Sequence, residues 1–231
     1  MIELDSSTWR ELRDAYGPAT EIPAILRRVA DGSGSVSELY DAFALIERGA
    51  VSDAALASVP HLTAIAKASS AERRHDILTL IGRIAFAADS WLEDEDRAFA
   101  TAAALARADL ALTPHDKALD LLLAILAIEK SAVLYDAVSA LSSGELPIRC
   151  PADTCGVEIA IADGVAHVDE LSTPVTPSTD RDALGGILQL LIETGHGALA
   201  QTCGVIAGTI ECPKCNEPFS VLAELLDPHE L

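Results

Sequence analysis

Apolar residues recur every three or four positions along residues 5–143, and then the spacing changes to alternation. The first pattern predicts helices and the second predicts strands. Asp5, Ser6 and Ser7 offer N-caps to a helix carrying Trp9, Leu12 and Tyr16, which Gly17-Pro18 ends. Thr20 opens a second helix with Ile22, Ile25, Leu26 and Val29 on one face, closed by the loop 31–35. Leu39, Phe43 and Ile46 mark a third, ended by Gly49. Ser52 to Lys67 is a fourth, with Ala55, Val59, Leu62 and Ile65 on one side. Pro60 lies inside it, which predicts a kink or a break into two shorter helices. Ser69-Ser70-Ala71-Glu72 has the form of a capping box ahead of Ile77, Leu80, Ile81 and Ile84. The run Glu93-Asp94-Glu95-Asp96 suits a helix start, where carboxylates meet the positive end of the dipole. Thr113-Pro114-His115-Asp116 is another start signal, followed by Leu119, Leu122, Leu123 and Leu126. A last helix of this series covers roughly Ser131 to Ser142.

Past Gly144 the chemistry changes with the periodicity. Leu146-Pro147-Ile148-Arg149 leads into Cys150-Pro151-Ala152-Asp153-Thr154-Cys155-Gly156. Val157, Ile159 and Ile161 then alternate, Asp163-Gly164 is a hairpin turn, and Val165 to Val168 can return. A polar linker is expected over Leu171 to Asp182, a helix over about 180–194, and a short helix through Cys203. Thr209-Ile210-Glu211 leads into the second knuckle, Cys212-Pro213-Lys214-Cys215-Asn216, and Phe219 to Leu222 is expected to leave it as a strand. Strand, knuckle and strand, twice, is the layout of a zinc ribbon, here split by a helical insert at about 180–204. Four thiolates from two such turns can close a tetrahedral zinc site, so Cys150, Cys155, Cys212 and Cys215 are the candidate metal ligands. His167 and His196 are the alternatives that could replace a cysteine in that set.

Val59-Pro60-His61-Leu62, continued through Arg73-Arg74 to Leu80-Ile81-Gly82-Arg83-Ile84, resembles a HEAT-type helical repeat. That resemblance implies an α-solenoid, with stacked helix pairs and an exposed concave face. The arrangement as a whole is similar to a group of bacterial HEAT-repeat proteins with a C-terminal Cys-Pro-x-x-Cys-Gly region. It brings no assigned activity with it. The first knuckle departs from the group, with four residues between its cysteines where two are usual. The expected fold is mainly α: a HEAT-like array over 1–144, then a small α+β zinc-ribbon module over 145–231.

Composition narrows the functional classes. The chain has 231 residues, half of them apolar and only 4% aromatic, so its core is built from Ala, Leu, Ile and Val. No apolar run is long enough for a membrane span, and the acidic N-terminus lacks the basic region of a signal peptide, which points to a cytoplasmic protein. In that compartment five cysteines are metal ligands or free thiols rather than disulfides. The formal charge of −20 splits into −10 for residues 1–145 and −10 for residues 146–231. The cysteine-bearing part has only Arg149, Arg181 and Lys214 as cations, too few to displace counterions from phosphates. Nucleic acid is therefore an unexpected partner, and a basic protein an expected one.

Other candidates read as structural. Cys203 fits an apolar helix face, and Arg73-Arg74 a structural pair. Trp9 and Tyr16 fit a buried helix stripe, and Trp91 an exposed anchor. His61, His75, His115 and His229 lack companions at ligand spacing and suit surface or capping roles. No phosphate loop, serine elbow or His-Glu-x-x-His occurs, so no catalytic set is expected. The reading is a non-catalytic protein-binding protein, with an immunity or antitoxin protein covering a toxin as one version. The alternative is a zinc-dependent regulatory or redox sensor.

Overall fold

The computed structural model describes residues 1–43, 51–88 and 90–226, the side chains of Asp94 and Ala183 excepted. Its contacts divide the chain into two compact units, Met1–Ser131 and Ala132–Leu231. The sequence places the change at 144; the helix just before that position groups with the residues that follow it.

The first unit is helical. It holds α1 (Ile22–Asp31), α2 (Ser37–Phe43), α3 (Asp53–Ala68), α4 (Ala71–Ala87), α5 (Glu93–Leu110) and α6 (His115–Ile128). From α3 onward each helix packs on its neighbour in sequence and on the next but one: α3 on α4 and α5, α4 on α5 and α6, α5 on α6. Leu62, Ile77, Leu80, Ile81, Ile84, Leu121 and Ile125 are fully buried between them. The low aromatic content permits close approach. A Cβ added to Gly82 would stand 2.5 Å from both the Cα and the Cβ of Ala124, so α4 and α6 cross almost backbone to backbone there.

The arginine pair joins successive layers. Arg73 donates to the carbonyls of Val29 and Gly34, beside the end of α1. Arg74 forks onto Asp109 of α5 at 2.6 and 2.8 Å, and Asp109 is buried. Their structural role is thus visible in hydrogen bonds.

Several expectations need correction. Residues 5–16 do not form a helix. Only the 3-10 turn Ser7–Arg10 forms, and the chain then doubles back through a bridge between Arg13 and Pro18. The Asp14 carboxylate accepts the N–H groups of Tyr16 and Gly17, a local turn that competes with helix. Trp9 is buried as expected, its indole N–H on the Glu3 carbonyl, but Tyr16 is 84% exposed. Pro60 does not divide its helix, since α3 runs through it. Ser70 caps α4 without a side-chain hydrogen bond. Ile46, Gly49 and His229 lie outside the described residues.

The second unit opens with α7 (Ala132–Ser143). An antiparallel meander follows: β1 (Leu146–Arg149), β2 (Glu158–Ala162), β3 (Val165–Val168) and β4 (Leu171–Pro174). Leu146 faces Ile161 and Ile148 faces Ile159, and all four are buried. Asp163 and Gly164 both take positive φ, as a two-residue hairpin turn requires. The polar stretch after Leu171 is strand at first, because β4 continues the meander through the pair Val168–Leu171.

The chain next passes a 3-10 turn (Ala183–Gly186), α8 (Ile187–Glu193) and α9 (Gly197–Ile206). The single helix expected over 180–194 is shorter, because Leu184, Gly185 and Gly186 are left-handed. The hairpin β5 (Thr209–Glu211) and β6 (Pro218–Ser220) leads into α10 (Val221–Leu226). The expected strand therefore stops at Ser220, whose hydroxyl accepts the N–H of Ala223 as a helix cap does.

Candidate metal centre

Each knuckle is a loop at the end of an antiparallel strand pair. In the second, β5 and β6 pair out to Glu211–Pro218, and the next rung is the Cys212 N–H on the Glu217 carbonyl at 2.9 Å. In the first, β1 and β2 pair out to Arg149–Glu158, and the next rung is the Cys150 N–H on the Val157 carbonyl, also at 2.9 Å. Cys150 and Cys212 thus hold the same place on their hairpins.

The tight turn inside each loop is also shared. The Asn216 N–H returns to the Cys212 carbonyl, with Asn216 left-handed at φ 63°. The Gly156 N–H returns to the Ala152 carbonyl, with Gly156 at φ 52°. The two surplus residues of the first knuckle are therefore taken up between Cys150 and the turn. They move neither cysteine off its station, and the wide spacing is compatible with four-fold convergence.

The four sulfurs do converge, all lying within 4.8 Å of one another. Cys150 Sγ is 3.6 Å from Cys215 Sγ, and Cys155 Sγ is 3.9 Å from Cys212 Sγ. A tetrahedron with metal–sulfur bonds of about 2.3 Å has edges of about 3.8 Å. The donor set thus fits a soft or borderline divalent ion, and four protein sulfurs leave no open position on it.

Cys150 and Cys212 are buried, Cys155 is half-buried and Cys215 is exposed. Burial pushes the Cys150 thiol up to about 12. Burial also opposes ionisation of Cys212, but the backbone N–H groups of Cys215 and Lys214, with the thiols beside it, bring it down to about 7. At Cys215 the Glu217 N–H favours the thiolate, yet desolvation and the Cys212 and Cys155 thiols leave the group raised. One sulfur is poised to ionise first, and a cation would draw the protons from the others.

Among the described residues, this is the only His, Cys, Asp or Glu group close enough to hold a metal. His167 is exposed on β3, His196 is buried ahead of α9, and neither joins the cluster. Cys203 is fully buried in α9, and burial pushes its thiol up to about 12.

The remaining candidates are placed elsewhere. His61 bonds the Ile2 carbonyl at 2.7 Å. His75 is not a surface residue. It is buried on α4 with Nε2 3.5 Å from an Asp120 carboxylate oxygen. Its partner lies 45 residues on, beyond any local spacing rule; the lone acid inside the apolar run of α6 was the only signal. Trp91 is half-buried rather than free: its ring packs on Phe99 at 4.3 Å, its N–H bonds Asp96, and the Lys130 ammonium lies 4.1 Å from its centre. A trough of about 350 Å³ beside it is lined by Phe99, Ala103, Ile128, Asp96, Arg107 and Glu129.

Comparison with protein-family models, with curated proteins and with solved structures gives no match to this chain.

Proposed function

We propose that this is a non-catalytic protein-binding protein whose second unit is closed by one structural zinc ion on Cys150, Cys155, Cys212 and Cys215. The convergence of four sulfurs within 4.8 Å carries the metal half of the reading. Zinc is the ion of choice because four thiolates in a tetrahedron suit it, and no redox change is needed. The ion offsets the small apolar burial of a short sheet.

Protein binding is supported by the charge of −20, which steers a basic partner and repels nucleic acid. The next-but-one packing of α3 to α6 suits a HEAT-type array, and such an array would present an extended face. An immunity or antitoxin protein that covers a basic enzyme in the cytoplasm is the concrete version.

Two measurements test the halves separately. Elemental analysis of protein purified without added metal is expected to give one zinc per chain, and less than a tenth of that would end the metal reading. Affinity capture with mass spectrometry is expected to return one stoichiometric basic protein. Its absence at low salt would end the binding reading.

The zinc-dependent regulatory alternative is favoured by one observation, that two of the four cysteines, Cys155 and Cys215, are not buried.

A further inference from the structure

We infer that the cysteine centre is a redox-exchangeable clamp: peroxide ejects the metal and replaces it with two disulfides that cross between the knuckles, Cys150–Cys215 and Cys155–Cys212. The inference rests on the metal reading above and adds a regulation to it.

Three observations carry it. Among the four sulfurs, all within 4.8 Å of one another, two close contacts run between knuckles, at 3.6 Å for Cys150 with Cys215 and 3.9 Å for Cys155 with Cys212. A disulfide bond is about 2.05 Å long, so the sulfurs need to close by only about 1.6 and 1.9 Å. Each of these pairs also joins an exposed or half-buried cysteine to a buried one. Cys215 is exposed and Cys155 half-buried, whereas Cys150 and Cys212 are buried. An oxidant therefore meets one member of each pair, and the shielded member is already in place to resolve it. Finally, Cys203 is fully buried in α9 and joins no sulfur contact, so the fifth thiol does not compete.

The chemistry balances with hydrogen peroxide as the co-reactant. The Cys215 thiolate attacks one peroxide oxygen. The O–O bond breaks, and the hydroxide that leaves takes a proton and becomes water. The resulting sulfenic sulfur is attacked by Cys150. The S–S bond forms, the S–O bond breaks, and a second hydroxide leaves as water. Two thiolates supply two electrons, and one peroxide becomes two waters. Cys155 and Cys212 repeat the sequence with a second peroxide. A zinc ion leaves without changing oxidation state, because no thiolates remain to hold it.

The connectivity decides the consequence. Cys150 and Cys215 are 65 residues apart, and Cys155 and Cys212 are 57 apart. Crossed disulfides therefore hold the two hairpin ends together as the ion did. Disulfides within each knuckle would close only a local turn and leave the hairpins free to part. The oxidised module stays folded and loses its metal, so the signal is the ion released and the surface around Cys215, while the fold persists.

The test uses the full chain carrying its zinc. Peroxide is added in steps while released zinc is read with a chromogenic chelator, and free thiols are then blocked. Digestion with trypsin and an aspartate-directed protease follows without reduction. Lys214 separates Cys212 from Cys215, and Asp153 separates Cys150 from Cys155, so mass spectrometry reads the pairing directly. The expected result is zinc released in full at about two peroxides per ion, both crossed pairs, and Cys203 alkylated only after unfolding. The urea midpoint of the oxidised form is expected to stay well above that of the reduced, chelated form. Pairs within a knuckle, a pair to Cys203, or a midpoint equal to the chelated form would overturn the inference while leaving the metal reading intact. Absence of bound zinc before oxidant would overturn the metal reading, and the exchange with it.

Discussion

At Gly82 the helices α4 and α6 leave no space for a side chain, since an added Cβ would lie 2.5 Å from the Ala124 backbone. Gly82→Ala gains helix propensity but must push two backbones apart, and the second effect is the larger. A loss of about 2 kcal/mol is expected, read as a lower urea midpoint. Zinc content should not change, because Gly82 lies in the other unit from the cysteines. Tyr40 gives a second test at this scale. Desolvation raises its phenol to about 12, with Asp120 and Asp76 adding to the shift against Arg83. A group whose folded pKa is raised contributes stability below its unfolded value near 10 and loses it as pH rises through the folded value. In a variant with Tyr16→Phe and Tyr135→Phe, phenolate absorbance is expected to rise with a midpoint near 12, and stability to fall across pH 10–12. A midpoint near 10 would place the ring in water. Neither contact was legible in the chain, since both depend on which distant helix arrives opposite.

Elements were legible where the pattern was long and uncontested. The helices α3 to α6 and the hairpin at Asp163-Gly164 follow from periodicity and turn chemistry. Where a side chain offered the backbone a rival hydrogen bond, the reading failed. Asp14 turns residues that look helical, and Ser220 caps a helix where alternation suggested strand. The knuckles were legible because cysteine spacing is a chemical constraint that tertiary packing does not override. What spacing could not show is that Cys150 holds the same rung as Cys212 despite two additional residues in its loop. It follows that Cys150→Ser should lose metal as completely as Cys212→Ser, at least tenfold in affinity, whereas Cys203→Ser should keep one ion per chain. Elemental analysis of the three proteins decides this, and full zinc retention by Cys150→Ser would show that the first knuckle binds through another group. Removing zinc from the reduced protein by chelator is expected to collapse amide protection across β1 to β6 and spare α3 to α6. Hydrogen exchange would reveal the contrary case, a sheet that stands without its ion.

At the scale of the whole molecule, charge and metal are coupled. Four thiols that become thiolates around a divalent ion change the net charge by about −2, from −4 on sulfur and +2 on the ion. A bound zinc ion would therefore make an already acidic protein of formal charge −20 slightly more so. The protons must go to solvent. Cys150, pushed up to about 12 by burial, and Cys215, also raised, are both protonated at neutral pH without metal. These two alone would release two protons on binding such an ion. Apparent zinc affinity is thus expected to climb with pH, by about two decades or more per pH unit near pH 7, and to fall as steeply on acidification. Competition against a chelator of known proton dependence at pH 6, 7 and 8 measures the slope. A slope below one proton would mean that Cys150 and Cys215 do not ionise on binding, and that the ion sits on fewer than four thiolates. The same coupling runs outward. If oxidation expels the ion as proposed, about two negative charges would leave the cysteine end, so a basic partner held by long-range attraction would be bound less tightly by the oxidised form, and the difference would shrink as salt screens it.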